Sequence, residues 1–125
     1  MAPRLTRWKT ENAEVLVVAL VGDVDISNSF HVTEAVLADA LNSTRGVVLD
    51  LSETGYLDSS GIHLLLEVRR RLMHRRQELR LVVPEDAFLH ELLNLTAVPA
   101  IAPVHASVAE AVASILAGRP GGDPA

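Results

Sequence analysis

A chain of 125 residues with 49% apolar and 22% charged residues has the composition of one folded domain, able to bury a core without cross-links. The absence of cysteine excludes a disulfide scaffold and thiolate catalysis, and a net charge of −5 argues against general nucleic-acid binding. Only 3% of the residues are aromatic, so the core must be built from Val, Leu, Ile and Ala.

Residues 1–14 carry Arg4, Arg7 and Lys9 but no apolar run ahead of a cleavage site, and the first apolar run, 15–21, is too short to span a bilayer. A soluble, cytoplasmic protein is expected. An edge strand over 5–10 fits the pattern, with Trp8 as a packing anchor. Residues 13–21 (AEVLVVALV) read as a buried strand ended by Gly22. The polar turn Gly22-Asp23-Val24-Asp25-Ile26-Ser27-Asn28-Ser29 follows, with Asn28 and Ser29 as caps for a helix over 30–41. That helix places Phe30, Val36, Leu37, Ala40 and Leu41 on one stripe, and Asn42-Ser43-Thr44 breaks it.

Residues 46–51 (GVVLDL) predict a second buried strand, 52–58 a loop, and 60–76 a helix with Ile62, Leu65, Leu66, Leu72 and Met73 on its apolar face. Six of the eleven basic residues fall between Arg69 and Arg80. Arg69, Arg70, Arg71, Arg75 and Arg76 read as a solvated helix face, with a docking surface for an acidic partner as the alternative; no aromatic residue interleaves them as a nucleic-acid site would require. Residues 79–83 predict a third strand, stopped by Pro84, and 85–95 a short helix with Phe88, Leu89, Leu92 and Leu93 at core spacing. Residues 101–104, preceded by Pro99 and including Pro103, predict a peripheral strand. Ser107-Val108-Ala109-Glu110 is a capping box, and Val108, Ala111, Val112, Ile115 and Leu116 continue from it at helical spacing. Residues 118–125, rich in Gly and Pro, predict a disordered tail, which leaves 1–117 as the domain.

Strands separated by helices require parallel crossovers. The expected fold is α/β, with a mixed, mainly parallel sheet of four or five strands and helices packed on it.

The segment richest in chemistry runs from Leu49 to Ile62. A buried strand delivers a polar loop to a helix N-terminus, where backbone N–H groups lack intrahelical partners. Asp58, Ser59 and Ser60 fall there. A serine there can cap the helix, and a phosphate would sit near free amides and the positive end of the helix dipole. Leu57-Asp58-Ser59-Ser60-Gly61-Ile62, following Val47-Val48-Leu49-Asp50-Leu51, resembles the signature of the STAS family, specifically the bacterial anti-anti-sigma factors (anti-sigma factor antagonists). Gly22-Asp23-Val24-Asp25 resembles that family's Gly-Glu-Leu-Asp turn, with Asp23 in place of the usual glutamate. Leu81-Val82-Val83-Pro84 and the segment from Val104 to Ala111 are also similar to the family.

The resemblance implies a fold and a switch. The unmodified protein would bind an anti-sigma factor that carries a GHKL-type serine kinase domain, thereby releasing a sigma factor. Phosphorylation of the first serine of the motif, here Ser59, would break the complex, and a serine phosphatase would reset it. ATP and Mg²⁺ would belong to the kinase, so no cofactor is expected in this chain. The implied contact residues are Asp23, Asp25, Asp58, Ser59, Ser60 and Gly61; the last is read as a position where a missing side chain lets a partner approach. Ser60 is read as the helix cap. Within the same family, the chain could instead be a stressosome subunit or the accessory of a lipid-transporting ABC permease, and a homodimer stays open.

A serine hydrolase is the rival from a different class. The nucleophile elbow it needs, Gly-x-Ser-x-Gly, is absent around Ser59, and His63, one helical turn on, need not face it. His31, His63, His74, His90 and His105 are scattered, without the spacing of a zinc site, so no metal is expected.

Overall fold

The computed structural model describes residues 3–10, 14–41 and 45–117. The break expected at Asn42-Ser43-Thr44 and the tail expected from Gly118 lie outside these residues.

Among the described residues, five strands form one sheet in sequence order: β1 (Arg4–Lys9), β2 (Val15–Val21), β3 (Gly46–Asp50), β4 (Glu78–Val82) and β5 (Val104–His105). β1 runs antiparallel to β2, while β2, β3, β4 and β5 are mutually parallel. This is the mixed, mainly parallel sheet expected of the sequence. α1 (Ser29–Ala40) and α2 (Ser59–His74) supply the first two crossovers; α3 (Phe88–Asn94) and α4 (Val98–Ile101) make the third, and α5 (Val108–Ala117) follows β5.

The two-residue period of the strands sorts the core into two layers. Leu16, Val18, Leu20, Val47, Leu49, Leu79 and Leu81 face α1 and α2, where they meet Val36, Leu37, Leu65, Val68 and Leu72. The intervening residues Val15, Val17, Val48 and Val82 face the other way, onto Ala111 and Ile115 of α5. Because both faces are covered, β2 and the start of β3 read as unbroken apolar runs instead of alternating ones. Each fully buried Leu or Val contributes about 1.5–3 kcal/mol of transfer free energy.

The C-terminus of α2 closes in a Schellman motif. Gln77 N–H donates to the Leu72 carbonyl at 2.9 Å and Arg76 N–H to the Met73 carbonyl at 3.0 Å. Arg76 takes φ 58° to make this turn. Gln77 then donates through Nε2 to the Ala40 carbonyl at 3.0 Å, fastening the end of α1.

Several expectations are corrected. Ile101 belongs to α4, not to a strand; Pro99 occupies the first turn of that helix, where its missing N–H is not needed, and the strand is confined to Val104–His105. Phe30, Leu41, Met73 and Phe88 are exposed, not core. Each stands at or next to a helix end, and periodicity selects a helix face without showing whether another layer lies opposite. Trp8 sits across from Val17 on the edge strand and is 52% exposed; Leu5, on the other face of β1, is the residue that packs against the main core.

Candidate functional site

Two loops meet at the C-terminal ends of β2 and β3. Gly22, at φ +115°, turns the chain out of β2 in a conformation that side chains rarely adopt. The following residues then run alongside the β3–α2 loop. Gly22 N–H donates to the Glu53 carbonyl at 3.1 Å, Val24 N–H to the Tyr56 carbonyl at 3.1 Å, and Asp58 N–H to the Val24 carbonyl at 3.3 Å. Val24 and Leu57 form an isolated parallel bridge, both buried, and the Thr54 hydroxyl donates to the Leu20 carbonyl at 2.7 Å.

Alternation about this bridge sets what points outward. With Val24 and Leu57 turned in, Asp23, Asp25 and Tyr56 are exposed and Asp58 is partly exposed. The turn that carries Asp23 and Asp25 and the loop that carries Asp58 and Ser59 therefore run side by side. Asn28 stands at the N-cap position of α1, but its side chain does not cap. It donates to the Asp23 carbonyl at 3.2 Å and accepts from Asp25 N–H at 3.1 Å, bracing the acidic turn, while Asp25 accepts from Ser27 N–H at 2.9 Å.

The start of α2 also departs from expectation. Asp58, not Ser60, is the cap: its Oδ1 accepts from Ser60 N–H at 2.9 Å and Gly61 N–H at 3.1 Å, and the Ser60 hydroxyl donates to the same oxygen. The Ser60 hydroxyl bond is the main reason the Asp58 carboxyl is held below its usual range; partial burial pushes the other way, and the amides of Gly61, Ser60 and Ile26 add to the lowering. Asp58 is thus a firmly ionised carboxylate beside Ser59. Ser59 itself is exposed, and among the described residues its hydroxyl has no hydrogen-bond partner, neither Asp58 nor His63.

Gly61 has an internal reason. It is buried, and a Cβ built there would lie 2.9 Å from Leu57 Cβ and 3.0 Å from Leu57 Cδ2. The missing side chain makes room for Leu57, half of the loop bridge, so Gly61 shapes the site from beneath.

Sequence reasoning missed an apolar rim. Ile26 is 84% exposed, Phe30 77% and Tyr56 48%, on the two loops and the first turn of α1. Ile26 lies in a polar stretch where no period marks it, and Phe30 shares the period of the α1 core stripe although burial in α1 begins at Val32. Between α1 and α2 a groove of about 250 Å³ opens beside the rim, lined by Phe30, Glu34, Ser60, His63, Glu67 and Arg71 among others.

The sequence model of the STAS domain matches residues 8–111. The chain belongs to the STAS family. Solved structures agree. An anti-sigma factor antagonist from Mycobacterium paratuberculosis superposes with a TM-score of 0.79 at 20% identity, covering 92% of this chain and 95% of that one. A STAS domain protein from Planctomyces limnophilus gives 0.70 at 21% identity, over 92% and 98%. The anti-sigma factor antagonist SpoIIAA, in its unphosphorylated form, gives 0.66 at 15% identity, over 93% and 100%. No curated protein matches the sequence significantly. Among the described residues of this STAS domain, no helix is long and apolar enough to cross a membrane.

Proposed function

We propose that this STAS domain antagonises an anti-sigma factor, docks it on the surface around Ser59, and lets go when Ser59 is phosphorylated. One observation carries the reading: of the two serines that open α2, Ser60 is tied to Asp58, while Ser59 is exposed with a free hydroxyl, and the adjoining loops and first turn of α1 expose the apolar side chains Ile26, Phe30 and Tyr56. Exposed large apolar residues around an accessible hydroxyl suit a surface that is covered in one state and bare in the other.

The chemistry belongs to the partner. A kinase domain of the anti-sigma factor, holding ATP and Mg²⁺, brings the γ-phosphorus to Ser59 Oγ. The Oγ–P bond forms, the bond to the bridging oxygen of ADP breaks, and the hydroxyl proton passes to a base on the kinase. A phosphatase reverses the step with water, returning serine and inorganic phosphate. The need for ATP places the switch in the cytoplasm.

The product is a group of about −1.5 to −2 charges next to ionised Asp58 and on the same face as Asp23 and Asp25. Burying it under a partner costs several kcal/mol, and about 4 kcal/mol corresponds to a roughly thousandfold loss of affinity. Affinity capture with and without ATP, followed by mass spectrometry of the serines, tests this. Ser59→Ala is expected to keep the partner and resist release by ATP; Ser59→Asp is expected to weaken capture, by less than the phosphate does. Loss of the partner in Ser59→Ala, or labelling of Ser60 in place of Ser59, overturns the proposal.

A further inference from the structure

One face of α2 begins at Ser59 and continues through His63 and Glu67, each one turn from the last, to Arg70 and Arg71, both about one turn beyond Glu67. The charged members of this stripe already interact. Arg70 Nη2 lies 2.8 Å from Glu67 Oε2. The Glu67 carboxyl is held below its usual range, chiefly by its hydrogen bond from Arg70, with the nearby charges of Arg71 and His63 adding to the effect. Arg71 in turn reaches Glu34 of α1 at 3.2 Å. Basic and acidic side chains alternate along the helix up to His63, and one turn before it stands Ser59, whose hydroxyl is free.

We propose that His63 is the counter-ion of a phosphate on Ser59, so that phosphorylation completes an alternating ladder of phosphate, imidazolium, Glu67 and Arg70 along α2. The proposal rests on Ser59 being the modified residue, as argued above, but not on which enzyme modifies it. Residues four apart on a helix hold their Cβ atoms about 5–6 Å from each other, within reach for a phosphate oxygen and a ring nitrogen. The other charges facing the phosphate are unfavourable: Asp58 at the cap, Asp23 and Asp25 on the adjoining turn, and Glu34 across the groove. Arg70 and Arg71 are engaged by Glu67 and Glu34. Among the described residues of α2, His63 is the basic side chain nearest in sequence to Ser59, and it lacks such a direct ion pair.

The test uses the full chain with phosphoserine installed at position 59 during synthesis, so that no kinase is needed. The second ionisation of phosphoserine, from monoanion to dianion, falls near pH 6. ³¹P NMR titration is expected to show this ionisation about half a unit lower in the wild type than in His63→Gln. His63→Lys, which retains a cation, is expected to preserve the lower value, and Arg71→Gln to leave it unchanged. A midpoint insensitive to His63→Gln, or moved equally by Arg71→Gln, overturns the proposal. Release of the partner without the titration shift would sink this inference and leave the docking function standing. The shift without release would do the opposite.

Discussion

At the residue scale, Asp58 determines which serine is left free. Its carboxylate gathers the Ser60 hydroxyl and the amides of Ser60 and Gly61, leaving Ser59 pointing into solvent. The same bonds make folding sensitive to acid. The folded carboxyl ionises below its ordinary value, so its contribution is fully present above the unfolded value of about 3.9 and is lost as pH falls through the folded one. Asp58→Asn keeps a capping side chain but loses the charge. Thermal melts across pH 7 to 2.5 should show the wild type more stable than Asp58→Asn near neutrality, with the difference closing below about pH 4. A difference that does not vary with pH would show that the carboxylate is not what the native state stabilises.

At the element scale, α2 connects the site to the core, and its far end carries local strain. Arg76 adopts φ 58° in the Schellman turn, where a side chain costs roughly 1 kcal/mol relative to glycine. Arg76→Gly should therefore raise the unfolding free energy by about 0.5–1 kcal/mol in urea titrations; a loss of stability would mean the arginine side chain contributes more than its backbone costs. The element level is also where the sequence was most legible. Val-rich runs marked β2 and β3, and the spacing of Val108, Ala111, Val112 and Ile115 marked α5, with Ser107 Oγ accepting from Glu110 N–H at 3.2 Å as its capping box implied. The site was legible in part. Asp58, Ser59 and Ser60 are all good cap residues, so local preference alone does not choose among them. The choice depends on where the Val24–Leu57 bridge holds the loop, a long-range pairing of single residues that no periodicity announces. Ile26 and Phe30 were missed for a related reason: their exposure depends on what the fold fails to place over them.

At the scale of the whole molecule, the sheet separates the site from a second, smaller core. Val15, Val17, Val48, Val82, Ala111 and Ile115 make up the buried layer under α5, and Arg45 Nη2 holds the end of that helix through the Ile115 and Leu116 carbonyls at 3.0 and 3.2 Å. With so few side chains in this layer, Ile115→Ala should cost about 2–5 kcal/mol in denaturant unfolding, a large share of the 5–15 kcal/mol typical of a domain. Because Ile115 lies on the face of the sheet away from α1 and α2, the folded fraction should bind its partner with unchanged affinity. A weakened affinity in calorimetry on folded protein would show that the two layers are coupled through the sheet.

The bare rim of Ile26, Phe30 and Tyr56 has a colloidal consequence. Under the proposed switch a molecule without its partner presents adhesive side chains, so free copies should attract one another. A phosphate on Ser59, as proposed, would add electrostatic repulsion between such molecules. The dormant pool should thus be the better dispersed of the two, with a more positive second virial coefficient by light scattering at low salt and a gap that narrows as salt screens the charge.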